Sequence, residues 1–170
     1  MSTRYLWLFP LTMLPSCGII PIQTRDLSDF TIAITAPDQV STQPSNAVGY
    51  LPDAQITQSV PFLKIRISAT LTYKSTHNQP IRLRFYTRAG SPQDCPKLSS
   101  YYICSSEPDH RRVGEIIVFP DVAQSITLEG PELDQAVHSG LGYLGLQLVD
   151  GTAYSTDRLE FKEVRALALL

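Results

Sequence analysis

The patterning of this chain predicts an all-β fold: an antiparallel two-sheet sandwich, immunoglobulin-like or jelly-roll, with seven to eight strands and one short helix. Three observations predict it. Apolar and polar residues alternate with period two in segment after segment, as in strands with one buried face. Turn residues recur at short intervals between those segments. Strand and helix never alternate repeatedly, as a parallel sheet would require. The buried Cys and Trp of antibody domains are missing, because Trp7 is the single tryptophan and Cys95 and Cys104 are near neighbours.

Phe30, Ile32 and Ile34 alternate with Thr31, Ala33 and Thr35 and open the first strand. Residues 36–59 are polar and carry Pro37, Pro44 and Pro52. So long a stretch is unusual in a compact domain without structure of its own, so a short edge strand over 55–59 or a binding loop is expected. Residues 62–73 make the clearest strand. Leu63, Ile65, Ile67, Ala69, Leu71 and Tyr73 share one face and Lys64, Arg66, Ser68, Thr70, Thr72 and Lys74 the other. Residues 75–80 read as a turn, and 81–88 return with Leu83 and Phe85 inward, so the two segments are expected to pair as a hairpin. Residues 113–119 and 124–129 are further strands. Pro131 suits a first helical position, Glu132 and Asp134 suit a first turn, and Gly140 suits a stop, so 131–139 is expected to be a short helix. Residues 141–149 form a strand with Leu144, Leu146 and Leu148 on one face, and Asp150-Gly151 a turn. The last strand, 159–169, changes phase near Glu163 and Val164, where a bulge is expected.

The start of the chain is of another kind. Arg4 precedes an apolar run from Tyr5 to Leu14, and a small residue then precedes Cys17. A charged start, an apolar middle of this length and a small residue before the cut describe a secretory signal, and the run is too short for a bilayer-spanning helix. Leu14-Pro15-Ser16-Cys17 resembles the lipobox of bacterial lipoproteins. That resemblance implies cleavage before Cys17, a lipid such as palmitate on that cysteine, and attachment to a membrane. Gly18 stands where an Asp would be a retention signal, which favours the outer membrane of an organism that has one, with the domain facing the periplasm or exterior. The expected layout is a signal peptide at 1–16, a lipid-anchored tether at 17–29 and a sandwich domain at 30–170.

The full chain has 170 residues and a formal charge of −2. Losing the leader removes Arg4 and leaves 154 residues with a charge of −3, enough for one domain that folds without a metal. That charge argues against a nucleic-acid partner. With Cys17 lipidated, two cysteines remain. An even pair outside the cytoplasm reads as a disulfide, Cys95 to Cys104.

No catalytic, nucleotide or metal motif is present, so no cofactor is expected. His77, His110 and His138 fall in turns or at a helix end and read as solvated. Asp150 and Asp157 flank a turn, but their spacing matches no calcium loop. Two candidate ligand-binding sites remain. Ser99-Ser100-Tyr101-Tyr102 lies in the disulfide loop, where tyrosine offers contact area at low entropic cost. The plainer alternative is that one tyrosine plugs the core below. Lys64, Arg66, Lys74, Arg82, Arg84 and Arg88, with Tyr86 among them, are expected to share one outward hairpin face suited to an anionic glycan or an acidic partner. Its plainer alternative is a neighbouring strand supplying Glu160 and Glu163. The expected protein is therefore an envelope-anchored lipoprotein, a non-enzymatic interaction or structural module contacting the membrane through its lipid, with an envelope protein or an anionic glycan as candidate partner. The alternatives are a carbohydrate- or other ligand-binding sandwich using Tyr101 and Tyr102 and, more remotely, a hydrolase with dispersed acids.

Overall fold

The computed structural model describes residues 22–35, 40–56, 64–98 and 101–169. The lipobox, Gly18, Leu63, Ser99 and Ser100 lie outside the described residues. Strands are numbered in chain order. One sheet runs β1 (Ile22–Asp26), β13 (Arg158–Leu169), β5 (Lys64–Lys74), β10 (Ala123–Glu129), with β2 (Phe30–Ala33) also paired to β13. The other runs β7 (Lys97–Leu98), β8 (Tyr101–Cys104), β4 (Val48–Ile56), β11 (Gly142–Asp150), β6 (Ile81–Ala89), β9 (Arg112–Val118). A small pair joins β3 (Ser41–Thr42) to β12 (Ala153–Tyr154). The strand pairings are antiparallel throughout.

The inner faces of the two sheets meet in one core. Leu71, Tyr73, Leu159 and Phe161 face Ile81, Leu83, Phe85 and Leu148. Phe161 is its centre: it stacks on Phe30 at 4.5 Å between centroids and takes the edge of Phe85 at 6.0 Å. Such pairs add roughly 0.5–1.5 kcal/mol to plain area burial. The all-β, antiparallel sandwich expected from the patterning is the observed fold.

The expected hairpin is not formed. β5 pairs with β13 and β10, and β6 pairs with β11 and β9, so residues 75–80 carry the chain from one sheet to the other. Period-two alternation fixes which face of a strand is apolar but not which strand lies beside it, and an arch between sheets satisfies the same pattern as a hairpin.

Two other corrections concern the first third. The expected tether contains β1, which pairs with 165–169 of β13 through backbone hydrogen bonds. Arg25 and Asp26 stay exposed, so no apolar alternation marked the strand. β4 begins within the stretch read as polar and at residues 48–50 lies between β8 and β11, where no interior strand was expected. Of the edge strand expected over 55–59, residues 55 and 56 form the end of β4 and pair with β11, and 57–59 lie outside the described residues. The register of β4 against β11 jumps from Tyr50↔Gly145 to Gln55↔Tyr143. Pro52, which has no N–H to donate, falls within that irregularity, where the ladder does not need it.

Elsewhere the local signals hold. Helix α1 spans Pro131–Ser139, starts on its proline, and ends at Gly140 with φ 69°. Leu133, Ala136 and Val137 are its buried side. Two of its acids reach strand backbones: Asp134 Oδ1 accepts from the N–H of Ile65 at 2.6 Å, and Glu132 Oε1 from that of Ala89 at 3.1 Å. The bulge in β13 lies between Lys162 and Arg165, with Glu163 at φ 51° and its N–H donated to Asp29 Oδ1 at 2.9 Å.

The registers define two ends. At the near end Ile22 pairs with Leu169, and Leu169 with Lys64. Lys74 pairs with Arg158 at the far end, where β6 begins and β11 stops.

Candidate functional site

The six cations do not share a face, because the strands that carry them belong to different sheets. Lys64, Arg66 and Lys74 stand outside one sheet, and Arg82, Arg84 and Arg88 outside the other. Acids meet most of them. Arg66 Nε lies 2.7 Å from Glu129, Lys74 Nζ 2.8 Å from Asp121 and Arg84 Nε 2.8 Å from Glu115. The hydrogen bond from Arg84 holds the Glu115 carboxyl below the usual carboxylate range. The acids come from β9, β10 and the turn between them. Glu160 is instead near Lys162 at 3.8 Å, and Glu163 accepts from Thr70 at 3.2 Å.

The disulfide between Cys95 and Cys104 is formed, with Cα atoms 4.9 Å apart. It holds its loop over the outer face of the six-stranded sheet and buries a second cluster there: Val48, Tyr50, Tyr86, Cys104 and Tyr143, with Cys95 and Tyr102 packed on it. Tyr86, expected among exposed cations, is 5% exposed and donates to Gln147 Oε1 at 3.0 Å. Gln147 donates in turn to the Ser45 carbonyl at 2.7 Å. Beneath the loop the Glu107 side chain is 2% exposed, paired with Arg111 and 3.6 Å from Arg88. Burial, with this carboxylate nearby, pushes the Tyr50 phenol well above its usual range. Arg88 Nη1 is 3.5 Å from Cys95 Sγ and 3.8 Å from Cys104 Sγ.

Tyr101 and Tyr102 are neighbours on β8, so strand geometry sends them to opposite faces. Both are half-buried. Tyr102 turns outward, edge-on to Tyr143 at 6.2 Å, with Lys97 Nζ 5.9 Å from its ring centre. Tyr101 turns inward onto the main core and lines a cleft. They do not form a joint aromatic platform.

That cleft is a concave site among the described residues. It holds about 360 Å³ between β2 on one side and β4, β8 and β11 on the other. Ile34, Leu51, Ile103, Leu146 and Leu148 give it apolar walls, Leu98 stands at it 41% exposed, and Ser41, Thr42, Gln43 and Ser45 bring polar groups. Ser45 and β3 belong to the far end: the N–H of Ser45 meets the carbonyl of Leu148, and β3 pairs with β12. Gly49 lines the cleft with no side chain, and a Cβ there would meet only Ile103 Cδ1 at 3.6 Å and the Leu146 carbonyl at 3.9 Å. Sequence reasoning singled out Tyr101 by residue, and residues 36–59 only as a stretch that could be a binding loop. That stretch supplies Ser41, Thr42, Gln43, Ser45, Gly49 and Leu51. The other walls come from separate elements brought together only by strand order, and Gly49 contributes by what it lacks.

The remaining candidates are structural. Asp157 is 1% exposed; its Oδ2 accepts from Tyr73 OH at 2.7 Å and from the N–H of Tyr154 at 2.9 Å. Asp150 Oδ1 accepts from the N–H of Gly151. His77 stacks on Tyr154 at 3.8 Å. Cys95, Cys104 and Glu107 lie together, but the disulfide takes up both thiols. No protein-family model and no curated protein matches the chain.

Proposed function

We propose that this protein is an exported lipoprotein, fastened to a membrane of the bacterial envelope through Cys17, whose sandwich is a non-catalytic binding module working through the Tyr101 cleft. The open cleft carries the reading. Its volume falls in the range of small-ligand sites, and it joins apolar walls to a few polar groups. Its described lining offers no carboxylate, imidazole or thiol, a poor set for acid–base or nucleophilic work and a suitable one for binding. The lipobox-like residues support the address. From Cys17 to β1 the chain reaches at most ~20 Å, and β1 enters at the near end, so such an anchor turns the far end of the cleft away from the membrane. The paired cations favour the cleft over an anionic-glycan face.

Two measurements test this. Intact-mass analysis of the mature product should find an N-terminal Cys17 carrying acyl chains, and Cys17→Ser should release the protein from the membrane fraction. An unmodified Cys17 or a retained leader refutes the anchoring. Native mass spectrometry after incubation with envelope extract should show a bound small molecule that is lost in Gly49→Leu. Equal occupancy in both proteins refutes the cleft.

A further inference from the structure

Resting on the reading of the cleft as a binding site, we infer that its ligand is an uncharged single-chain amphiphile: an aliphatic chain along the inner faces of β4, β8 and β11 with a neutral polar head at the far end. Charge is the first ground. Every described residue lining the cleft is uncharged, so an ionised ligand group inside would lose water and find no counter-charge. Placement is the second. The apolar residues Leu51, Ile103, Leu146 and Leu148 belong to the sheet face, whereas the polar side chains, apart from the Tyr101 phenol on β8, cluster in 41–45, tied to the far end through Leu148 and β12. An aliphatic chain on the first group leaves its head beside the second, whose Ser41, Thr42 and Gln43 match hydroxyl or amide heads as donors and acceptors. Size is the third, since about 360 Å³ lies at the small end of ligand sites and suits one chain. Gly49 leaves room where a larger residue would fill the floor.

The test uses the full mature chain with Cys17→Ser, so that no detergent is needed. Octyl glucoside below its micelle threshold, glucose and octyl sulfate are compared by saturation-transfer NMR and by titration. The expected result is saturable binding of octyl glucoside, with transfer strongest at the alkyl protons, no binding of glucose, and octyl sulfate at least ~10-fold weaker because its charge would be desolvated. Gly49→Leu and, independently, the exposed-site change Leu98→Asp should each weaken octyl glucoside about as much, with circular dichroism confirming that both variants fold. If glucose or octyl sulfate binds as well as octyl glucoside and Gly49→Leu removes it, the ligand class is wrong while the cleft remains the site. Binding insensitive to both variants, or no binding by any probe, overturns the cleft reading as well.

Discussion

Glu107 is the side chain whose replacement should be felt most for the fewest atoms changed. Its carboxylate is 2% exposed and meets two guanidinium groups, those of Arg111 and Arg88. Glu107→Gln keeps the shape and removes the charge. Arg88 then still has Asp94, but Arg111 is left with Glu132 at 3.8 Å. Breaking a buried ion pair from one side costs ~3–5 kcal/mol, because the remaining charge stays desolvated. The Arg111 side chain is 24% exposed, so water recovers part of that and the lower end, about 3 kcal/mol, is the expected loss. For a domain of this size that corresponds to a fall in Tm of roughly 6–12 °C. Urea denaturation of the oxidised protein at neutral pH measures it. Glu107→Leu combined with Arg111→Met should lose less than the two single losses together, since the uncompensated charge is then gone. A Glu107→Gln loss under about 0.5 kcal/mol, or strict additivity in the double variant, refutes the view that this carboxylate holds two cations under the loop.

Replacing both Cys95 and Cys104 with serine should cost roughly 2–3 kcal/mol for so short a loop, seen as a lower urea midpoint, and should expose Tyr102 and Tyr143 to quenchers. Burial, opposed by a hydrogen bond with Ser75 and reinforced by Asp157, pushes the Tyr73 phenol up to about 12. A raised value in the folded state means stability that is intact below pH 10 and lost as pH rises from there to about 12. The loss attributable to this ring is ~2–3 kcal/mol, so Tyr73→Phe should flatten the alkaline decline in Tm measured across that window. Gly145 and Gly49 should differ on replacement by alanine. A Cβ at Gly145 would lie 2.8 Å from both Tyr50 and Val48, so Gly145→Ala should cost ~1–3 kcal/mol by overpacking, whereas Gly49→Ala should leave the melting curve nearly unchanged.

Much of this architecture was legible in residue order because it is local. The face of β5 follows from its alternation, and the ends of α1 from Pro131 and Gly140. The bulge in β13 follows from a change of phase, and the disulfide from an even pair of nearby cysteines. Each needs only a few residues of context. Where local signs misled, the missing information was the identity of a neighbour. Tyr86 sits in an outward position by every rule of alternation, yet it is covered because a stapled loop crosses above it. Arg66 and Arg84 were read as a shared charge excess, yet each meets an acid from another strand.

The site divides in the same way. Tyr101 was visible as an aromatic in a constrained loop, but its separation from Tyr102 and its place on the cleft wall depend on which side of β8 faces the core. The amino-acid order by itself determined the strands with clear alternation, among them β5, β6, β9, β10 and β11, together with the helix and the cystine, because each depends on spacing along one stretch of chain. The strands β1, β3, β4, β7, β8 and β12 carried no such mark. Only the tertiary structure decided that β5 and β6 lie in opposite sheets, that β4 is interior, and that Ile34, Gly49, Tyr101 and Leu148 line one cleft. Those outcomes depend on pairings between distant segments, for which the period-two pattern of a single strand carries no information.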